Sequence, residues 1–500
     1  MDGPLGQTSS AYATITDLPD ELVEKIVEDL DDNASICRLS LTCKRLHFLV
    51  LPMFFSRNKL ENPQNGFFHC HHPIPELLEA IRMALFIRNL SSFTFYFTSR
   101  VEEVISDISS LGGLLARIPP VGKILLGLPG IILYMSGSQG EESVERWQRQ
   151  GGGGTEFLKL LQTIAESGCR DLTVLDPIGY LPGMYVATPP PTKPTGTGMR
   201  NSGELRAHPY STAMSTIRVL FSRLFQPFFV GWIIDTLEVN RKSLVCLHLD
   251  VTSITPDLLS RISESMNLSA VQEVKIASRF NFVWEGMYSF LNRHPSITSL
   301  CLDGILPVNN PQVPDPQIIL PYLIQLTAMS PMVTLLLQHR NRVPLLTSVH
   351  GLLNLDRPQL SPLAVVATHV HISSLQLSNG LVGDICSILK RYIREDKFTQ
   401  IITSLGHTRS VVLDQHINSR NPLQLTIMRW LYLFPHLEHV SLSFRPSDAR
   451  LRLSDEERHG VVTEFAIQFA ADHLMMETLS AGFFLAVNLD DLWKVPDFKA

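Results

Sequence analysis

Four neighbouring residues, His69-Cys70-His71-His72, concentrate imidazole and thiol groups, the donors that zinc takes most readily. Adjacent side chains cannot all converge on one ion, and no second pair follows at a zinc-site spacing. The cluster therefore reads as a polar loop beside a turn marked by Pro73 and Pro75, and no metal is assigned. Gly151 to Gly154 would suit a phosphate cradle if Gly-Lys-Ser/Thr followed, but it does not, and Gly122-Lys123 runs into Ile124. There is no G-x-S-x-G elbow, no H-E-x-x-H and no dinucleotide fingerprint, so the sequence names no nucleophile, no general base and no cofactor.

The remaining thiols add no framework. Cys37, Cys43, Cys70, Cys169, Cys246, Cys301 and Cys386 are an odd set without C-x-x-C spacing, which fits neither a disulfide scaffold nor a zinc ribbon. Met1 to Ala13 lack both the basic residues and the apolar core of a secretory signal, so the chain is expected in the cytosol or nucleus with its thiols reduced. On that expectation Asn33-Ala34-Ser35, Asn89-Leu90-Ser91 and Asn267-Leu268-Ser269 are chance matches to the glycosylation pattern. A net charge of -6 over 500 residues gives no basic field for a nucleic-acid backbone. The most apolar stretch, Leu111 to Met135, is broken by Arg117, Pro119-Pro120, Lys123 and Pro129, and reads as a buried helix pair or a partner-facing hairpin rather than a membrane span.

Any site must be positioned by folded elements, and the composition supplies them. Hydrophobic residues make up 45% of the chain and charged ones 18%, enough to fold most of it. Residues 1–14 are expected to be disordered, and the segments near 136–154 and 181–215, rich in Gly, Pro, Ser and Thr, read as flexible insertions. Between them a pattern of Leu, any, any, Leu, any, Leu recurs after helical stretches. It is clearest in Leu291 to Leu302 laid over Leu431 to Leu442, where Pro295 and Pro435 coincide as well. Weaker copies are Leu90/Phe93/Phe95, Leu244/Leu247/Leu249, Val271/Val274/Ile276, Ile372/Leu375/Leu377 and Thr408/Val411/Leu413. Thr255-Pro256 marks one helix start, Gly168 a helix end, and Ser454 with Glu457 a capping box before a long helix to about Met476. Alternating helices and short parallel strands stacked as an irregular solenoid are favoured over a closed α/β sheet, because several copies share both the triplet and the preceding helix.

Ahead of this body lies a compact helical trio. Leu18 to Leu30 carries Leu22, Ile26 and Leu30 in one row and Val23, Val27 and Leu30 in a second, with Asp17 as a cap, Pro19 in the first turn and Asp20, Glu21 and Glu24 complementing the dipole. Asn33 is expected to cap a second helix with Ile36, Leu39 and Cys43, and Lys44-Arg45 leads into a third with Leu46, Leu49, Val50, Met53 and Phe54. A unit of roughly 40 residues buries too little surface to stand alone, so it should borrow burial from the body or from another protein.

Leu18-Pro19-x-Glu21-Leu22, Ile26 and Leu30, followed by Ser35-Ile36-x-x-Leu39-Ser40-Leu41-Thr42-Cys43-Lys44-Arg45-Leu46-x-x-Leu49, resembles the F-box family in order and spacing over about Ile15 to Phe55. Leu46 stands where many members carry an aromatic residue. The resemblance implies an F-box at 15–56 in which Leu18, Pro19, Leu22, Ile26, Leu30, Ile36 and Leu39 dock a Skp-type linker subunit that hangs on a cullin. Residues 57–500 then form the leucine-rich-repeat-like α/β body. Within it the residues between the strand leucines would face a target protein: Cys246, His248, Glu273, Lys275, Ser299, Cys301, Ser374, Gln376, Ser410, Val412, His439 and Ser441. The favoured reading is a non-catalytic adaptor of an SCF-type ubiquitin ligase. A scaffold without ubiquitin transfer comes second, and an enzyme with dispersed catalytic residues third.

Overall fold

The computed structural model describes residues 14–60, 63–70, 74–87, 90–97, 101–118, 121–128, 153–175, 214–225, 227–252, 254–306, 319–337, 342–350, 374–379, 407–417, 439–446, 478–482 and 485–488. They fall into two compact units, Met1–Ile178 with Arg206–Met214, and Gly179–Leu205 with Ser215–Ala500.

The first unit begins with α1 (Asp20–Asp29), α2 (Asn33–Ser40) and α3 (Lys44–Arg57). The starts of α1 and α2 differ from expectation. Asp17 closes a short 3-10 turn, Ile15–Asp17, where its carboxylate accepts from the Thr14 amide at 2.9 Å and the Thr14 hydroxyl at 2.7 Å, so it cannot cap α1. Pro19 stands at the N-cap instead, a position that needs no N–H. The cap of α2 is Asp32, not Asn33, accepting from the amides of Ala34 at 3.1 Å and Ser35 at 2.9 Å. The hydrogen bond from the Ser35 hydroxyl and those two amides hold the Asp32 carboxyl below its usual range.

After the trio, strands and helices alternate: β1 (Phe67–Cys70), α4 (Pro75–Met83), β2 (Ser92–Tyr96), α5 (Val101–Leu115), β3 (Lys123–Gly127), α6 (Gly153–Glu166) and β4 (Asp171–Leu175). The strands pair in parallel in chain order, β1 with β2, β2 with β3 and β3 with β4. Phe68, Phe93, Ile124 and Leu172 form one buried row across them, and Cys70, Phe95, Leu126 and Val174 a second. Alternation along each strand sends every second side chain inward, and crossover helices cover that side.

The second unit repeats the scheme through β5 (Thr216–Leu220), α7 (Pro227–Val239), β6 (Cys246–Asp250), α8 (Pro256–Ser265), β7 (Glu273–Val283), α9 (Met287–Arg293), β8 (Ser299–Leu306), β9 (Gln325–Ala328), α10 (Ser330–Leu337) and β10 (Ser348–His350). It continues with β11 (Ser374–Asn379), β12 (Ser410–Ile417), β13 (His439–Pro446), β14 (Thr478–Gly482) and β15 (Leu485–Asn488). From β5 to β14 each strand lies parallel to the next in chain order, and β15 turns back antiparallel on β14. Ile217, Leu247, Val274, Leu300, Leu326 and Val349 are the inner row, all buried and all in register.

One backbone device recurs where a strand begins. The carbonyl one repeat back accepts two successive amides: Gly66 O from Ser91 and Ser92, Gly122 O from Arg170 and Asp171, Ser215 O from Val245 and Cys246, Val245 O from Gln272 and Glu273, and Gln272 O from Thr298 and Ser299. The α8 start is as expected, with Thr255 Oγ1 accepting from Leu258 N at 3.4 Å and Pro256 at the first position. Both units are therefore α/β with solenoid-like repeats, as the triplets imply.

Other expectations need correction. His69 and Cys70 end strand β1 rather than lying in a polar loop, with Cys70 buried in the inner row. His71 and His72 lie outside the described residues. Of the stretch Leu111 to Met135, the described residues 111–118 and 121–128 are the end of α5 and strand β3, one helix–strand step rather than a helix pair; 129–135 lie outside the described residues. Among the described residues no helix is long and apolar enough to cross a membrane. Helix α6 starts at Gly153, inside the expected insertion near 136–154. Most of that insertion, nearly all of 181–215, and the helix expected from Ser454 to Met476 lie outside the described residues.

Candidate partner-binding surfaces

Helix α1 carries two apolar rows, and packing decides which is left for a partner. Val23 (0% exposed) and Val27 (3%) face inward, while Leu22 is 49% exposed and Ile26 36%. Pro19 is exposed, and Leu18 and Leu30 are half-buried. The inward row packs on α3, whose Leu46, Val50, Leu51, Phe54 and Phe55 are buried. Leu46 thus makes the apolar contact expected at its unusual position.

Two arginines on α3 hold α1 at both ends. Arg45 donates from Nε to Asp20 Oδ1 at 3.0 Å, from Nη1 to the Thr16 carbonyl at 2.7 Å and from Nη2 to the Leu18 carbonyl at 2.5 Å, with a second contact from Nη2 to Asp20 Oδ1. Arg57 Nη1 donates to the Leu30 carbonyl. The planar guanidinium of Arg45 satisfies the carbonyls of Thr16 and Leu18, just ahead of Pro19, while pairing with the first-turn carboxylate, so it fixes the backbone that displays Pro19 and Leu22. Sequence reading noticed the Lys44-Arg45 pair but not this reach; the signal was a basic residue spaced to return to the acidic start of α1.

The trio also leans on the first repeat. His47 Nε2 accepts from the Leu85 amide at 3.1 Å, and the Phe86 ring lies 6.2 Å from His47, 5.9 Å from Phe48 and 6.2 Å from Phe55. This is the borrowed burial that a small unit requires, and it leaves the outer row of α1 open. Of the residues expected to dock a linker, Ile36 is the exception: it is fully buried, because it lies on the face of α2 that packs on α3. Leu39 is half-buried. Leu41 and Phe48, not singled out from sequence, are both exposed.

In the second unit the register gathers the residues expected to face a target into two lateral rows. Cys246, Glu273, Ser299, Ser374, Ser410 and His439 belong to one, and His248, Lys275, Cys301, Gln376, Val412 and Ser441 to the other. Cys246 is buried, and His248, Glu273, Lys275, Ser299, Cys301 and Ser410 are half-buried. The side chains of Ser374, Gln376, Val412, His439 and Ser441 lie outside the described set, and only their strand positions are assigned.

The two rows meet in one tight cluster. His248 Nε2 lies 2.7 Å from Glu273 Oε1 and 3.5 Å from Cys246 Sγ, and Arg218 Nη2 lies 3.8 Å from that sulfur. Burial, reinforced by Glu273, pushes the Cys246 thiol up to about 11 despite Arg218, and burial pushes Cys301 up to about 11 despite Lys275. Both thiols are protonated at neutral pH and so are poor nucleophiles. Burial lowers the His248 pKa against the pull of Glu273. Burial alone would raise that of Glu273, but the hydrogen bond and charge of His248, with Cys246 and Arg218, bring it below the carboxylate range. Cys246 and Glu273 both touch the same imidazole nitrogen, so the three cannot relay a proton through the two ring nitrogens as a hydrolytic triad does.

Comparison with known proteins bears on the helices first. Residues 15–57 match the F-box-like family model, and the chain therefore carries an F-box-like domain. No curated protein matches the chain. Among solved structures it is similar to the crystal structure of the Rad7 and Elc1 complex in yeast, at 11% identity with a TM-score of 0.39, over 90% of this chain and 100% of that one.

Proposed function

We propose that this F-box-like protein is a substrate-recognition adaptor of an SCF-type ubiquitin ligase. In this reading the exposed face of α1 docks a Skp-type linker subunit, the linker hangs on a cullin, and the repeats hold a target protein. The observation that carries it is the outer row of α1. On a domain that matches the F-box-like model, Pro19, Leu22 and Ile26 are held outward by the Arg45 and Arg57 contacts while the inner row is sealed. Large apolar side chains held in a fixed geometry at a surface lose free energy only when something covers them; each stabilises a complex by about 1.5–3 kcal/mol when fully buried.

The chain makes no bond itself in this scheme. It raises the effective concentration of a target beside the ubiquitin-carrying enzyme, an advantage that requires both surfaces to be engaged at once. The reading assigns its work to the cytosol or the nucleus. A pull-down from cells tests it: the full chain should recover a Skp-type linker and a cullin, and a variant with Leu18→Ala and Pro19→Ala should lose both while keeping its far-UV circular dichroism. Recovery of the linker without a cullin would favour a scaffold, and undiminished recovery by the variant would contradict the docking surface.

A further inference from the structure

We propose that Cys246, His248 and Glu273 form a binding site for a divalent cation of the zinc class on the open face of β6 and β7. Cys246 and His248 are two apart on β6, so both point to the same side, and Glu273 is the direct register partner of Cys246 on β7. One donor atom from each lies within 4.8 Å of the others. The spacing suits tetrahedral coordination. Ligands bound at about 2.3 Å for sulfur and about 2.0 Å for nitrogen stand roughly 3.5 Å apart, and Cys246 Sγ and His248 Nε2 are 3.5 Å apart. A nitrogen and an oxygen in such a shell stand roughly 3.3 Å apart, so Glu273 Oε1, now 2.7 Å from Nε2, retreats about half an ångström. Its side chain is 47% exposed and can do so, while that of His248 is 15% exposed and holds still.

Without a cation the cluster is held by hydrogen bonds that link His248 and Cys246 to Glu273 and Arg218 to the sulfur. A single imidazole nitrogen faces a carboxylate and a sulfur together and can donate to only one of them. A dication would replace these contacts: His248 contributes a lone pair, Glu273 its charge, and Cys246 loses its proton to solvent as the sulfur–metal bond forms, so the charges of ion, thiolate and carboxylate cancel. Arg218 must swing off the sulfur. No other Cys, His or carboxylate among the described residues joins the group, which leaves the fourth position to water. This is not the His69-Cys70-His71-His72 run, whose first two members diverge on β1 with one side chain exposed and the other buried.

The test is a titration of the full chain, reduced and stripped of metal, with cobalt(II). Binding should produce a thiolate-to-cobalt charge-transfer band that zinc erases, with release of about one proton per ion near neutral pH. Cys246→Ser should remove the band, Glu273→Gln and His248→Asn should weaken binding on the order of tenfold or more, and Cys301→Ser should leave the band unchanged. No thiolate band, or a band that survives Cys246→Ser or vanishes with Cys301→Ser, would overturn the site. Should Cys246→Ser fail to fold, Glu273→Gln decides, and unchanged affinity there counts against the proposal. Because linker recovery involves only the α1 face, failure here would leave the adaptor reading intact.

Discussion

The outer row of α1 and the open face of β6 to β8 are both accessible, yet they present opposite chemistry. One displays Pro19, Leu22 and Ile26, large and apolar, clamped from behind by arginine contacts to backbone carbonyls. The other carries Cys246, His248, Glu273, Lys275, Ser299 and Cys301, small or titratable, with the first three bonded among themselves and Cys246 buried. An apolar row gains by being covered and discriminates weakly among partners, which suits a constant companion. A polar, titratable face loses hydration when covered and returns it only to a matching arrangement, which suits selectivity.

The largest effect that sharpens this contrast comes from beneath the outer row. Phe54→Ala removes a fully buried ring of α3 that lies against Phe55 and is expected to destabilise the first unit by about 3–5 kcal/mol, read as a lower denaturation midpoint. A change under 1 kcal/mol would mean that the trio is not supported as described. Next, Arg45→Ala should cost about 1 kcal/mol of stability but weaken linker binding further, because Thr16 and Leu18 lose the donors that fix Pro19. Arg45→Lys should rescue it incompletely, since one ammonium cannot reproduce the fork. Calorimetric titration of each variant with the linker separates the two effects.

The smallest effect is a pH dependence confined to the second unit. His294 is buried between repeats, donating from Nδ1 to the Phe290 carbonyl at 2.6 Å and accepting at Nε2 from the Leu268 amide at 2.9 Å, so the neutral ring fits and the charged ring does not. Burial holds its pKa below the ordinary 6.5. The unfolded chain therefore takes up a proton that the folded chain refuses, and stability is complete above pH 6.5 and falls as the pH drops below it, by at most about 1.4 kcal/mol per pH unit for each such group. His248, lowered in the same direction, adds to the slope. Unfolding midpoints at pH 7.5 and 5.5 should differ less in His294→Gln; an unchanged difference would remove His294 from this role.

Much of this was legible from residue order. The helical trio and the strands at Phe93, Leu247, Val274, Leu300, Leu375, Val411 and Val440 were found by pattern. Others were missed because the triplet does not require leucine. Val121/Ile124/Leu126, Cys169/Leu172/Val174, Met214/Ile217/Val219 and Leu323/Leu326/Ala328 fill the same buried positions with β-branched, sulfur-bearing or small residues. The preference is for apolar volume on the inner side of a strand, and several side chains supply it. The cap at Asp32 was missed by one position because neighbouring Asp and Asn are equivalent as caps until the backbone chooses. Ile36 was expected on the docking surface but is buried, because the face of α2 that carries it packs on α3, which residue order alone does not show. The Cys246, His248 and Glu273 cluster depends on a strand register that joins residues far apart in sequence, and periodicity alone does not set that.

The most direct trial of the contrast is the affinity of a purified Skp-type linker for the full chain and for a Leu22→Ser, Ile26→Ser variant, measured by calorimetry alongside thermal unfolding. Both side chains are already substantially solvated in the free protein, so the unfolding temperature should barely move while binding weakens by about 3 kcal/mol, on the order of a hundredfold. Equal affinity for the two proteins, with folding intact, would contradict the assignment of α1's outer row as the docking face.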